Sequence, residues 1–462
     1  MALSAAPTGQ ASSTGRGTFR PRIVALVCNW CTYSGADLAG TARREYPASV
    51  RIIKFPCTGR IGPLPILRAF AQGADGVVVS GCHPGDCHYA QGNLHARRRF
   101  ALLRSLMDLL GLDERRLHFA WVSASEGGKW AGLVERVTAA VMEAGPLESA
   151  EATAAEFPGP APGSLAPAPS PARASWTPWE EQIRLVAADL LRRERTACVL
   201  GFALRGRLGR VAPAFITRPE DVNRLVWNER CVQNLAVHLP GALARWGKVA
   251  VVAKACDARA VTVLFQEHQA GREAVLLIGA PCGGMVDRAG PLAKCAACSG
   301  LSGEDCDVIV RSAQDSPPAP SRPDPRDEEL DRFLTLPSSA RWGFWRAQFA
   351  DCIRCYACRA ACPLCYCTVC VTDRHRPSWI PAVRGEEGNR AWQVVRAFHL
   401  AGRCVGCDAC ARACPAHIRL DLLNRHLSRE AEARFGYRSG ESTEAPPLLS
   451  TFAPNDGEEF FQ

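Results

Sequence analysis

Short apolar runs alternate with amphipathic stretches along the first third of the chain. Ile23–Val27, Val50–Phe55, Gly76–Ser80 and Leu117–Val122 read as buried strands. Asp37–Tyr46, Leu64–Gln72, Asn93–Leu110 and Lys129–Met142 have helical spacing. Strands and helices in alternation, joined by short connections, predict a parallel sheet covered on both faces. The expectation is a flavodoxin-like α/β domain over 21–145, after a disordered leader over 1–20. Residues 146–178 are loaded with Pro, Ala, Ser and Glu and read as a linker. The pattern then resumes, with helices over Trp179–Arg192, Pro219–His238 and Asp257–His268. Strands are predicted at Ala197–Phe202, Ala214–Thr217, Val249–Ala253, Ala274–Ile278 and Asp307–Val310, making 179–311 an α/β middle domain. A second Pro/Ser-rich linker covers 312–326. Beyond it the signal is helical only: Asp327–Phe333, Ala340–Ala350, Asn389–Leu400 and Leu420–Arg434 define a C-terminal domain over 327–434. The polar tail, 435–462, is expected to be mobile.

Composition fits this division. A chain of 462 residues accommodates about three domains, and an apolar fraction of 47% supports sizeable cores. No window approaches the ~18 apolar residues of a membrane span, and the N-terminus lacks the apolar core of a secretory signal. The formal charge of +9 is spread along the chain apart from short runs such as Arg97-Arg98-Arg99. No basic stripe interleaves with aromatics, which argues against nucleic acid; a basic surface also suits an acidic redox partner. The 23 cysteines, odd in number and tightly clustered, fit a disulfide framework poorly and metal-held thiolates in a reducing, cytoplasmic setting well.

One cysteine pattern occurs twice. Cys352-x2-Cys355-x2-Cys358-x3-Cys362-Pro363 is followed by Cys404-x2-Cys407-x2-Cys410-x3-Cys414-Pro415. Each matches the run with which bacterial ferredoxins hold [4Fe–4S] clusters, where the Cys-Pro cysteine serves the opposite cluster. The expected sets are therefore Cys352, Cys355, Cys358 and Cys414 for one cluster, and Cys404, Cys407, Cys410 and Cys362 for the other. Structural zinc needs only paired ligands and leaves the third cysteine of each run and both Cys-Pro steps unexplained. With its helical surroundings, the C-terminal domain is expected to be an α-helical dicluster ferredoxin. Cys365, Cys367 and Cys370 follow the first run, either at an additional centre or lining these two.

Five further cysteines follow the N-terminal strands: Cys28 and Cys31 after the first, Cys57 after the second, Cys82 and Cys87 after the third. Ligands of open parallel sheets bind beyond the carboxyl ends of the strands. Four of these thiols suffice for a [2Fe–2S] cluster, the fifth being spare or exchangeable, and His83 or His88 is an alternative ligand. The motifs Cys28-Asn29-Trp30-Cys31, Gly35 to Gly40, Pro56 to Arg60 and Gly81 to His88 resemble the delta subunit of methyl-viologen-reducing hydrogenase. That resemblance implies a [2Fe–2S] protein exchanging electrons with heterodisulfide reductase.

In the middle domain Cys256 and Cys282 follow strand ends, and Cys295 and Cys298 supply a close pair. Together they are candidates for a further [4Fe–4S] cluster, with zinc as the alternative and Cys306 as a substitute ligand. Cys198 and Cys231 lie in apolar stretches and read as buried small hydrophobes. Lys254 to Arg259, Lys294 to Cys298, Cys352 to Cys370 and Gly402 to Cys404 resemble iron–sulfur subunits related to the beta subunit of deazaflavin-coenzyme hydrogenases, in the form found with flavin oxidoreductase–heterodisulfide reductase complexes. Two departures stand out: Ala255, where that family has glycine, and the short spacing from Cys282 to Cys295. The hydrogenase beta subunits carry flavin as well, but no G-x-G-x-x-G fingerprint supports it here, and Arg205 to Arg210 reads as a glycine-rich hairpin turn.

No nucleophile–base constellation is evident, so no catalytic residues are assigned. The expectation is an electron-transfer subunit between a flavin or NAD(P)H-type donor (or a hydrogenase module) and a heterodisulfide-reductase-like flavoprotein. The alternatives are a flavin-containing oxidoreductase subunit working on deazaflavin coenzyme or NAD(P), and a zinc-scaffolded assembly protein.

Overall fold

The computed structural model describes residues 19–147, 176–287, 290–298, 300–301, 306–311, 324–374 and 376–462. Most of the expected leader and most of both expected linkers lie outside the described residues. The first unit runs β1 (Ile23–Cys28), α1 (Thr32–Thr41), β2 (Val50–Phe55), α2 (Pro63–Ala71), β3 (Gly76–Gly81), α3 (Gly92–Leu109), β4 (Leu117–Trp121) and α4 (Gly127–Ala144). Its strands are parallel in the order β2-β1-β3-β4. The alternation of side chains along a strand distributes the core. Ile23, Ala25, Val27 and Val78 pack with Trp130 and Val134 of α4 on one face. Leu26, Val77 and Val79 pack with Ile66 of α2 and Phe100 of α3 on the other. Such burial on both faces is why β1, β3 and β4 read as continuous apolar runs.

The second unit comprises α5 (Thr177–Arg192), β5 (Cys198–Arg205), β6 (Arg210–Ile216), α6 (Leu239–Trp246), β7 (Val249–Ala253), α7 (Ala255–Gln266), β8 (Val275–Gly279), β9 (Val286–Asp287), β10 (Gly290–Pro291) and β11 (Val308–Ile309). Its main sheet has the order β11-β8-β7-β5-β6. The pair β5–β6 is an antiparallel hairpin turned by Gly206 and Gly209, both at positive φ; the other pairings are parallel. The helix expected over Pro219–His238 is absent. Two 3₁₀ turns, Pro219–Arg224 and Leu235–His238, flank an irregular stretch instead. Trp227 is buried there, donating Nε1 to Pro281 O at 3.0 Å, and Asn234 caps Ala236 N. These tertiary contacts override the local helical pattern.

The third unit is helical: α8 (Pro325–Leu334), α9 (Ser338–Ala350), α10 (Ala357–Ala360), α11 (Glu386–His399), α12 (Ala409–Arg412) and α13 (Leu420–Phe435). It lies between the other two. Its apolar faces join the core of the first unit, where Trp345 donates to Leu109 O at 3.1 Å and Ser105 meets His426 at 2.7 Å. Leu364, Leu400 and Val405 join the core of the second. Among the described residues, no helix is long and apolar enough to cross a membrane.

The segment over 435–462, expected to be mobile, instead crosses the other units. Arg259 and Gln266 of α7 donate to the carbonyls of Ser439 and Ser442. The basic run on α3 then grips the returning chain: Arg97 donates to Ala453 O (2.8 Å), Arg99 to Leu449 O (3.0 Å), and Arg98 holds both carboxylate oxygens of Asp456 (2.9 and 2.8 Å). Phe461 stacks on Trp121 at 3.8 Å, and Gln462 N donates to Phe119 O at 2.9 Å, so the chain pairs with the outer edge of β4. Composition misled because an open sheet edge and three arginines supply partners that no local pattern displays. Truncating Arg98 strands a buried carboxylate, which typically costs ~3–5 kcal/mol. Arg98→Ala is expected to lower unfolding free energy by about 3 kcal/mol and to speed amide exchange along β4, as read by denaturant titration and hydrogen exchange.

Candidate metal centres

In the first unit the sheet order sets β1 between β2 and β3, so the loops after these three strands share one edge. Cys28 ends β1, Cys31 opens α1, Cys57 follows β2, and Cys82 and Cys87 follow β3. All five are buried. The Sγ atoms of Cys28, Cys31 and Cys82 lie within 4.8 Å of one another, and those of Cys57 and Cys87 are 3.7 Å apart. Two thiolates on one tetrahedral metal at ~2.3 Å stand roughly 3.8 Å apart, so the latter pair has the separation for sharing an ion. Close approach depends on missing side chains: a Cβ on Gly92 would fall 2.3 Å from Cys57 Sγ, and one on Gly81 would fall 2.3 Å from Thr58 Cγ2.

The thiols here perturb one another. The hydrogen bond from Cys82 outweighs burial and holds Cys28 down at about 6. The same bond, with burial, pushes Cys82 far up, and burial followed by the Cys28 charge pushes Cys31 up to about 11. A dry pocket of this kind resists full ionisation until a cation enters. The histidines are engaged at the rim: His83 pairs with Glu126 at 2.8 Å, and His88 stacks on Trp30 at 3.9 Å.

The helical unit repeats one backbone path. Arg354 and Tyr356 have φ of 56° and 57°, and Gly406 and Asp408, at the same places in the second run, have 64° and 53°. Left-handed residues between successive cysteines let a short loop wrap a compact core. Cys352, Cys355, Cys358 and Cys414 line one pocket, the first crosswise set expected from the spacing. Burial and then neighbouring charge, Cys362 among it, push up Cys404 (to about 11), Cys407 and Cys410 (to about 12). Cys362 therefore stands with the second run. Side-chain and backbone donors point at these sulfurs: Gln393 Nε2 to Cys352 (3.5 Å), Asn424 Nδ2 to Cys410 (3.4 Å) and Gly406 N to Cys404 (3.4 Å).

Of the three extra cysteines, Cys365 hydrogen-bonds Cys362. It lines an open pocket with Cys355, Cys362 and Cys367. Cys370 caps the turn Val371–Asp373.

In the second unit Cys256 opens α7 and Cys282 follows β8, adjacent to β7. Burial, then Cys256 and Cys295, push Cys282 up to about 12, and Cys298 adds its charge at Cys256. The four expected residues are thus neighbours. Lys294 Nζ stands 3.5 Å from Cys256 Sγ, and Met285 N donates to Cys295 Sγ at 3.4 Å. Cys306 packs against Gly279 of β8. Cys198 and Cys231 are fully buried, the latter accepting from Asn228 N. Lys254, also fully buried, pairs with Asp257 at 2.7 Å, which secures the turn into α7.

The sequence pattern gives no role to Asn389, Gln393, Arg396 and Asn424, and names Lys294 only as part of a cysteine motif. A signal existed on α11: Asn389, Gln393 and Arg396 recur at helical spacing on an otherwise apolar face. All three turn toward the first cysteine run, Asn389 donating to Cys352 O (2.8 Å) and Arg396 to Cys358 O (3.1 Å).

The family model for methyl-viologen-reducing hydrogenase, delta subunit, matches residues 23–145. An iron-sulfur subunit of the F420-non-reducing hydrogenase of Archaeoglobus profundus is 46% identical over 130 residues, 28% of this chain and 95% of the relative. The corresponding iron-sulfur subunit of the vhc F420-non-reducing hydrogenase of Methanococcus voltae is 47% identical over 135 residues, 29% and 94%. One subunit of the ferredoxin/F420H2-dependent CoB-CoM heterodisulfide reductase of Methanosarcina acetivorans is 41% identical over 129 residues, 28% of this chain but 16% of that protein.

The glycine cradle is open to test. Gly92→Ala is expected to abolish metal retention at the N-terminal thiols while sparing the other groups. Gly40→Ala, where a Cβ meets nothing, should leave metal content unchanged. Elemental analysis of anaerobically purified protein reads both, and full retention in Gly92→Ala would show that the cradle tolerates a methyl.

Proposed function

This chain belongs, through its N-terminal domain, to the methyl-viologen-reducing hydrogenase delta-subunit family, and from that membership we propose that it is an iron–sulfur electron-transfer subunit. In this reading Cys28, Cys31, Cys57, Cys82 and Cys87 provide four ligands to a [2Fe–2S] cluster and one spare thiol. Cys352, Cys355, Cys358 and Cys414 hold one [4Fe–4S] cluster; Cys404, Cys407, Cys410 and Cys362 hold a second, and Cys256, Cys282, Cys295 and Cys298 a third. Such clusters supply one-electron storage whose potential responds to burial, charge and hydrogen bonds to sulfur.

The observation that carries the proposal is adjacency. Helix α10, which carries Cys358, packs on α12, which carries Cys410, so the two ferredoxin-type sets are neighbours. Cys407 feels Cys362 and Cys256, so the second set meets the middle one. Helix α11 lies against Cys352 through Gln393, and its other contacts include α2, just beyond Cys57. The surroundings also fit a bound group: Arg396 Nε, Gln393 Oε1 and Asn424 Oδ1 are buried without a hydrogen-bond partner. One chain thereby holds its carriers at high effective concentration.

The relatives' names suggest the partners: a heterodisulfide-reductase-like flavoprotein on one side and a hydrogenase or flavin oxidoreductase module on the other. Trp30 and Tyr89, about half exposed beside the N-terminal thiols, offer such a partner an aromatic surface. Thiol ligation on this scale suits a reducing cytoplasm.

Anaerobic purification with iron, sulfide, zinc and flavin counted per chain, then low-temperature EPR of the reduced protein, tests the assignment. About fourteen irons with matching sulfide are expected, from one [2Fe–2S] and three [4Fe–4S] clusters. Zinc without acid-labile sulfide would sink the proposal, and stoichiometric flavin would favour a flavin-containing oxidoreductase instead.

A further inference from the structure

Two buried cations stand between cysteine groups that the cluster assignment gives to different centres. Arg396, on α11, is 3% exposed and donates Nη2 to Cys358 O at 3.1 Å. Helix α10, which carries Cys358, packs on α12, which carries Cys410. The thiols whose charges act on Arg396 include Cys358 of the first ferredoxin-type set, Cys410, Cys362 and Cys404 of the second, and Cys365 beside them. Lys294, 9% exposed, holds Nζ 3.5 Å from Cys256 Sγ, and the thiols that reach it are Cys256 and Cys295 of the middle set and Cys407 of the second set.

Neither cation has a carboxylate within ion-pair distance among the described residues. The contrast within the helical unit is direct. Arg326 lies against Asp324 and Asp408, and Arg419 against Glu329 and Asp421. A charge buried without compensation is costly, so buried charges are paired or serve a metal group. Among the described residues, the thiolates and whatever core they hold are the anions nearest these cations; the one carboxylate that also acts on Lys294, Asp408, is already paired with Arg326 at 3.0 Å.

We infer that Arg396 and Lys294 are shared counter-ions, Arg396 between the two ferredoxin-type centres and Lys294 between the second of these and the middle centre. Each is a positioning residue for charge, touching neither substrate nor partner. An electron arriving at a centre adds one negative charge and breaks no bond, and a fixed cation alongside compensates that charge without uptake of a proton. Because each cation serves two centres, it raises both potentials together, and the second ferredoxin-type centre, beside both cations, is raised by each. This rests on the iron–sulfur reading.

The test is a potentiometric titration with dithionite of the full chain, purified anaerobically and followed by EPR. Arg396→Gln is expected to shift two [4Fe–4S] couples toward the oxidised form by roughly tenfold at fixed potential, ~59 mV for a one-electron couple. Lys294→Gln should shift two couples by a similar factor, one of them shared with the Arg396 variant. Arg396→Lys and Lys294→Arg should stay near the parent, and Lys248→Gln, the same charge change on the surface, should shift none. Full iron content with unmoved couples in both neutral variants overturns the inference, as does an equal shift from Lys248→Gln. If a neutral variant loses iron while its charge-retaining counterpart keeps it, the charge is needed for assembly and the inference stands; loss in both marks a packing role and overturns it. Absence of iron and sulfide from the parent chain would instead defeat the cluster reading itself.

Discussion

A thiol in a dry pocket ionises only against the cost of burying its charge, and that cost grows when other thiols share the pocket. Here Cys31, Cys282, Cys404 and Cys410 are all driven upward, first by burial and then by their neighbours. Such groups become acceptable when a cation enters and protons leave. Until then the protein must hold the sulfurs in place by other means. Donors such as Gly406 N, Asn424 and Gln393 aim at the sulfurs, and left-handed residues bend the loops around the space between them. On the buried faces of α11 and α13, Gln393 and Asn424 donate to sulfurs, and Asn389 and Arg396 to the carbonyls of cysteines.

The same constraint accounts for how the units are joined. A series of one-electron carriers works only if neighbouring groups stay close, and a Pro-rich tether alone leaves their spacing to chance. The helical unit instead contributes its apolar faces to the cores of both α/β units. The polar tail then returns across α7 and α3 to the free edge of β4, where Arg98, Asp456, Trp121 and Phe461 fasten it. Both contacts hold the units side by side, the more effectively because the Arg98–Asp456 pair is bidentate and dry.

Fold and chemistry were legible to different depths. The alternating pattern over 21–145 carried the parallel sheet because strands buried on both faces cannot hide their apolar character. The doubled cysteine run carried the grouping of Cys352, Cys355, Cys358 and Cys414 around one pocket because the repeated spacing imposes the same left-handed turns on both copies. The stretch over 219–238 was misread, since the burial of Trp227 and the capping by Asn234 depend on residues distant in sequence. The tail was misread for the same reason: its partners lie hundreds of residues away.

What the sequence determined by itself was therefore local: which segments are strands, which are helices, and which short cysteine runs can enclose a metal core. Only the tertiary structure decided how groups from separate segments combine. It set the middle thiols near the second run, brought Arg396 to Cys358 and Lys294 to Cys256, and laid the C-terminal segment along β4. The physical reason is that spacing along a chain governs what neighbours can do, while Coulombic interaction and burial act through space and take no account of sequence separation.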